Sequence, residues 1–267
     1  MSRRFSVERV QEQLTTRFLG RKMYYEETVD STNLRIRELA KAQAPAGTLY
    51  GAEVQTAGRG RRGRSWHTPA GEALAMSFLL YPDCAPARAS MLSLVAGLGV
   101  AQGCRELGIP VQVKWPNDVV LSGKKLCGIL TEMQADPEKI HYVVVGIGIN
   151  VNLKEIPEEL QQVATSLYLE TGREWDRETV MACVLNHIER NYEIFQQTAD
   201  LSGLQKEYES FLVNCGRQVR IEAGKDSFTG TAMGINPMGE LLVKREDGSI
   251  CPVCAGEVSV RGLYGYV

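Results

Sequence analysis

Histidine is scarce in this chain. Three stand among 267 residues, His67, His141 and His187, and none sits at metal-ligand spacing to a cysteine pair. No Ser/His/Asp or Cys/His arrangement for nucleophilic catalysis stands out. The seven cysteines, Cys84, Cys104, Cys127, Cys183, Cys215, Cys251 and Cys254, are odd in number and lack a disulfide-framework spacing, so they read as reduced, mostly buried small residues. Cys251-Pro252-Val253-Cys254 is formally a CxxC, but without a second such pair it reads as chance rather than as half a zinc site or a redox couple. No apolar run approaches the roughly 18 residues that span a bilayer. The first eight residues, Met1 to Glu8, carry no signal-peptide core, so cytoplasmic location is the expectation, with no membrane partner. There is no internal repeat and no low-complexity tract.

What is present is a balanced composition: 44% hydrophobic, 23% charged and a formal net charge of -2. That balance excludes disorder and a global attraction to nucleic acid. The length suits one large domain, or a large domain plus a small one. Positive charge is instead local. Gly58-Arg59-Gly60-Arg61-Arg62-Gly63-Arg64-Ser65-Trp66 interleaves three glycines with four arginines and closes on tryptophan. Glycine lets backbone N–H groups approach a phosphate, and each guanidinium offers a planar fork to phosphate or carboxylate oxygens. An arginine-glycine run also occurs in disordered RNA-binding segments. Here the run is short and apolar segments flank it, so it reads as one loop of a folded domain.

Periodicity predicts an amphipathic helix over 6–21, with Val7, Val10, Leu14 and Phe18 at spacings of three and four. Asp30-Ser31-Thr32-Asn33 offers caps for a second helix running to Lys41, with Leu34 and Leu39 inward. Strands are expected at 48–54 and 73–80, and a long apolar core helix over 86–107. Residues 111–114 read as a strand, 118–133 as a hairpin turning at Ser122-Gly123-Lys124, and 140–151 as a very apolar strand. Helices follow at 178–197 and 204–212. From Arg217 the composition changes to short β-like runs, 218–223, 228–234, 240–245 and 257–261, separated by turns such as 223–226 and Asn236-Pro237-Met238-Gly239. That spacing suits a small β-barrel.

Three further constellations carry chemistry. Lys114-Trp115-Pro116-Asn117-Asp118 stands at a strand end, where Asn117 and Asp118 serve either the turn or a ligand. Lys124-Lys125-Leu126-Cys127-Gly128-Ile129-Leu130 sets Lys125 at the head of an apolar run, a candidate for a lysine aimed into a cleft. Gly146-Ile147-Gly148-Ile149-Asn150 leaves one strand face bare, for a close-packed ligand or backbone or for a bend in the sheet. It is not a dinucleotide fingerprint, since the third glycine is absent and no helix opens after it.

In order and spacing, Asp30 to Asn33, Gln55 to Trp66, Lys114 to Asp118 with Lys125 to Leu130, and Gly146 to Asn150 resemble the biotin protein ligases, strongly over about 24–152 and weakly beyond. The resemblance implies an α/β (α+β) fold: a mixed β-sheet with helices packed on it, like that of class II aminoacyl-tRNA synthetases, and an SH3-like β-barrel at the C-terminal end. The implied domains are 1–213, catalytic and biotin/ATP-binding, and 214–267. The implied activity joins biotin to ATP as biotinoyl-5′-AMP with Mg²⁺ present, then transfers biotin to a lysine of a biotin carboxyl carrier protein. Ser31, Thr32 and Gln55 would take the ureido ring of biotin, with Asn33 adjacent in the biotin site. Arg59, Gly60 and Arg61 would close over carboxylate and phosphate, and Lys125 would bridge the two. Lys125, Arg59 and Arg61 thus become the catalytic candidates. The ATP-binding set would be Gly58, Arg61, Arg64, Trp66 stacked on adenine, Lys114, Asn117, and Asn150 at the base edge, with Asp118 a weak metal candidate.

Such ligases sometimes carry an N-terminal winged helix of some 60 residues; with about 22 residues ahead of Tyr24, no DNA partner is expected and the first helix should serve packing. The resemblance allows a homodimer. A lipoate or octanoyl ligase would share fold and chemistry, while a nucleic-acid-binding module would use the arginines as a phosphate grip without turning over ATP.

Overall fold

The computed structural model describes residues 4–222, 226–255, 259–262 and 266–267. Seven strands form the main sheet: β1 (Met23–Val29), β2 (Leu49–Gln55), β3 (Ala73–Leu80), β4 (Gln112–Lys114), β5 (Asp118–Leu121), β6 (Lys124–Ala135) and β7 (Ile140–Asn150). Their order is β1-β2-β3-β7-β6-β5-β4. Only β1 and β2 run parallel, and the other pairs are antiparallel, so the sheet is mixed. The helices are α1 (Val7–Gln13), α2 (Thr32–Lys41), α3 (Leu92–Glu106), α4 (Leu167–Thr171), α5 (Arg177–Thr198) and α6 (Gln205–Phe211). Among the described residues no helix is long and apolar enough to cross a membrane.

Helices cover both faces of the sheet, which explains why β3 is buried along its whole length. Alternation sorts the side chains. On β7, Val143, Val145 and Ile147 join the main core with α3 and α5, whereas Tyr142 and Val144 lie with Ile36 and Ala40 of α2. The even-numbered row continues as Gly146, Gly148 and Asn150, and it runs from beneath α2 into the site.

Several expectations need correction. The first helix stops at Gln13 because Glu189 of α5 accepts the backbone N–H groups of Arg17, Phe18 and Leu19, at 3.0 and 2.7 Å for the last two. A carboxylate thereby replaces the helical acceptors that residues 17–19 would have used. Helix α1 packs on α5 and buries Val10, as a packing element would. On α2 the buried face is Thr32, Asn33, Ile36 and Ala40; Leu39 packs against it half-buried, as expected, whereas Leu34 is not part of that cluster. A 3-10 turn, Pro86–Met91, precedes α3 where one helix was expected. Strand β1 and helix α4 were not foreseen.

Beyond Asn214 lie β8 (Gln218–Glu222), β9 (Phe228–Ile235), β10 (Leu241–Lys244), β11 (Ile250–Val253) and β12 (Ser259–Gly262), in the order β11-β10-β9-β8-β12. Among the described residues this is an antiparallel five-stranded sheet, with no pairing of β11 to β12 among them. Ala223 and the rest of the 223–225 turn, with Glu257, lie outside the described residues. This sheet shares the main core: Val219, Ile221, Leu241 and Val243 belong to the same apolar cluster as α3 and α5.

Candidate functional site

Strands β6 and β7 supply a bare floor. Gly128 and Gly148 are partners across the two strands, and Leu130 pairs with Gly146. A Cβ on Gly146 would stand 2.1 Å from Asn33 Oδ1, and one on Gly148 would stand 2.3 Å from the Trp66 indole. The alternate glycines therefore admit two side chains, which decides between the close-approach and bend readings.

Over this floor a polar cradle forms at the start of α2. Gln55 Oε1 accepts from Thr32 N–H at 2.9 Å and from Thr32 Oγ1 at 3.1 Å, and Gln55 Nε2 donates to Thr68 Oγ1 at 3.2 Å. Ser77 Oγ lies 2.7 Å from Thr32 Oγ1 and 2.6 Å from Asn33 Oδ1, while Asn33 Nδ2 donates to Glu132 at 2.7 Å. Ser31 is the N-cap residue of α2, yet its side chain makes no cap bond and lines the pocket. Asn33 is thus committed to Ser77 and Glu132. Ser77, Thr68 and Glu132 escaped the sequence reading, although a lone serine in the apolar run of β3 is a signal: a buried hydroxyl needs partners.

The arginine-glycine loop folds back on itself as a small hairpin. Gly60 N–H donates to Arg64 O at 2.7 Å, Trp66 N–H to Gly58 O at 2.9 Å, and Arg62 and Gly63 take positive φ of 59° and 72°. A Cβ on Gly58 would lie 2.3 Å from the Trp66 carbonyl oxygen. Gly58 accordingly shapes the loop and lines neither of the two inner cavities. Arg59, Arg62 and Arg64 are exposed, whereas Arg61 reaches inward and its Nη1 donates to Asn117 Oδ1 at 2.6 Å.

Asn117 opens a chain of contacts. Its Nδ2 donates to Asp118 Oδ1 at 3.1 Å and to Ile129 O at 3.2 Å, and Lys125 Nζ lies 2.6 Å from the same Asp118 oxygen. Asn117 therefore serves the turn and the site at once. Burial alone would raise the Asp118 pKa, but Lys125, Tyr266 and Lys114 outweigh it and hold the carboxyl below its ordinary value. Lys114 is 4% exposed, and burial pulls its pKa down to about 7, with Asp118 opposing and Arg261, Lys125 and Arg64 reinforcing the fall.

Two cavities meet here. The first is lined by Ser31, Thr32, Asn33, Gln55 and Arg59 over the glycine floor. The second, of about 480 Å³, has Leu153, Ile156 and Leu160 on one side and Arg64, Lys114, Asp118, Asn150 and Tyr266 on the other. Its size suits a small organic ligand. Gly60, Arg61, Trp66, Asn117 and Lys125 line both. Asn150 Nδ2 donates to Thr165 O, and Lys125 exchanges backbone bonds with Val163 and Thr165, which pins the apolar shelf to β6 and β7. Among the described residues, Trp66 Nε1 is a buried donor without a partner.

Asp118 does not fit a resident metal. Its oxygens already meet Lys125, Asn117 and the Tyr266 hydroxyl, and the described residues hold no group of three or more His, Cys, Asp or Glu able to take a metal ion. Cys254 Sγ meets Glu240 Oε1 at 2.9 Å.

Comparison with known proteins agrees with this geometry. The Biotin/lipoate A/B protein ligase family matches residues 25–150, and the Biotin protein ligase C terminal domain matches 215–261. The bifunctional ligase/repressor BirA of Bacillus subtilis is 39% identical over 238 residues, covering 88% of this chain and 73% of the relative. The biotin–[acetyl-CoA-carboxylase] ligase of Mycobacterium tuberculosis is 36% identical over 238 residues, 85% of each chain. The solved biotin protein ligase from Aquifex aeolicus in complex with biotin and ATP superposes with a TM-score of 0.80 at 37% identity, over 91% of this chain and 99% of that one. With a polar cradle, a cationic junction and an apolar shelf in one groove, and with these relatives, the chain belongs to the biotin protein ligases of the biotin/lipoate A/B protein ligase family.

Proposed function

We propose that this chain is a biotin–[acetyl-CoA-carboxylase] ligase that works in two steps in the paired cavities. The carrying observation is that Lys125, Arg61 and Asn117 stand at the wall shared by both. In the first step a carboxylate oxygen of biotin bonds to the α-phosphorus of ATP and the bond to the β-phosphate breaks, giving biotinoyl-5′-AMP and pyrophosphate. In the second, the amine of a carrier lysine bonds to the acyl carbon, AMP leaves, and the amine sheds a proton.

An anion attacking a polyanion gains from cations and donors held at the meeting point, so the catalysis is positioning and charge neutralisation. Lys125, set by Asp118, and Arg61, set by Asn117, take that role, with Arg59 closing from the loop. Thr32, Gln55 and Ser31 would pair with the ureido ring and leave a plain fatty acid with unpaired polar neighbours. In the second cavity Lys114 and Arg64 would face phosphate, Trp66 and the Leu153 shelf would cover adenine, and Asn150 would stand at its edge. A Mg²⁺ ion arriving with ATP would have to be held by phosphate oxygens, given how Asp118 is engaged. The division at 213/214 and the absence of a DNA partner are part of the same reading, in which α1, packed on α5, serves as a packing element.

The test is to mix the protein with ATP, Mg²⁺ and either biotin or lipoate, and to measure pyrophosphate release with mass-spectrometric detection of the acyl-AMP. Biotin-dependent release with a biotinoyl-AMP product is expected. Lipoate dependence would reassign the substrate, and silence with both would overturn the ligase reading.

A further inference from the structure

Strand β12 belongs to the β-rich sheet, and a little beyond it Tyr266 enters the second cavity of the main sheet. Its hydroxyl donates to Asp118 Oδ2, while Asp118 Oδ1 is the oxygen that Lys125 meets at 2.6 Å. Lys114 Nζ stands 3.5 Å from the centroid of the Tyr266 ring. Val267 follows against the β5–β6 turn, where a Cβ on Gly123 would lie 3.4 Å from its Cγ2. One side chain from outside the main sheet thus touches the partner of one site lysine and the ammonium of another.

We propose that Tyr266 is a positioning residue for adenylation, its hydroxyl orienting Asp118 toward Lys125 and its ring holding the Lys114 ammonium in the phosphate half of the cavity. A carboxylate between two lysines has two competing orientations. A donor fixed on Oδ2 leaves Oδ1 for Lys125 and so sets that ammonium at the wall shared by the cavities. The negative face of the ring attracts the Lys114 ammonium without forming an ion pair, so its N–H groups are left for an incoming phosphate. Burial and the Asp118 carboxylate push the phenol well above its ordinary pKa, so it remains a protonated donor and not a base.

This role rests on the ligase reading, and the experiment separates the two. Tyr266→Phe keeps the ring and removes the hydroxyl, whereas Tyr266→Leu removes both. For Y266F we expect unchanged thermal stability, biotin affinity and ATP KM, with kcat for biotin-dependent pyrophosphate release lower by about tenfold, the scale of one hydrogen bond to a charged group. Y266L should show the same loss in kcat and, in addition, a raised ATP KM. A Y266F enzyme with wild-type kcat overturns the proposal, as does a pair of variants that lose stability and every kinetic constant together. A wild-type chain that releases no pyrophosphate with biotin overturns the ligase reading instead.

Discussion

Gly148 is the residue on which the two cavities depend, because the Trp66 indole occupies the volume where a side chain would begin. A methyl there would stand 2.3 Å from the ring, well inside contact distance. Gly148→Ala should therefore push Trp66 off the floor at a cost of about 2 kcal/mol, typical of overpacking. ATP KM should rise roughly thirtyfold, which that energy implies, and steady-state kinetics with an unchanged ATP KM would contradict the account. Lys114 gives a second expectation. Its pKa of about 7 lies below the unfolded value of 10.5, so between those limits the unfolded chain binds more protons and this group's contribution to stability rises with pH. That contribution is present above 10.5 and lost as pH falls through about 7. The charge that would meet a phosphate follows the opposite course, present below about 7 and absent above it. ATP binding should weaken from pH 6 to 8, and Lys114→Arg, which keeps its charge, should flatten the profile. Titrations of ATP into both proteins across that range check this; parallel profiles would refute it. The groups facing Lys114 in this window are Asp118, Arg261, Lys125, Arg64 and Tyr266.

Among the elements, the loop of residues 58–66 is tied inward at Arg61, through the 2.6 Å bond to Asn117. Its other arginines are exposed, so among the four it is Arg61 that ties the loop to the groove, alongside Trp66 on the Gly148 floor. Arg61→Gly should loosen the loop and let biotinoyl-AMP escape before a carrier arrives. Rapid gel filtration of charged enzyme, followed by quantification of the retained adenylate, measures that loss; equal retention in mutant and wild type would sink the claim. This loop was legible from sequence because its chemistry is local: glycine, arginine and a closing tryptophan within nine residues. So was the Lys114 to Asp118 turn. The ends of α1 and the partners of Asn33 were not legible, because Glu189, Ser77 and Glu132 act across more than 40 residues of chain. Strand β1 was missed for a related reason. Met23–Val29 is the parallel edge of the sheet, and its mixed burial lacks the alternation that marks a strand.

In the whole molecule, the β-rich sheet is joined to the catalytic sheet by more than chain continuity. Trp115, buried beside the site, donates its ring N–H to Gly239 O at 2.9 Å and its backbone N–H to Asn214 Oδ1 at 3.0 Å. Val213 N–H donates to Val113 O on β4, and Glu209 of α6 accepts from Ile235 N–H on β9. Composition revealed a change of character near residue 214, but not that Val219, Ile221, Leu241 and Val243 would close the same core as α3 and α5. A polypeptide cut after residue 213 would expose that face and leave the Trp115 ring N–H without its acceptor. Each buried side chain so uncovered forfeits about 2 kcal/mol, and the lost Trp115 bond about a further 1 kcal/mol. The losses together rival the roughly 5–15 kcal/mol by which domains are stable. Calorimetry of the full chain should accordingly show one cooperative transition, and the 1–213 fragment should lack it. Two separate transitions, or a fragment that melts like the whole, would mean that the shared core does not couple the two sheets.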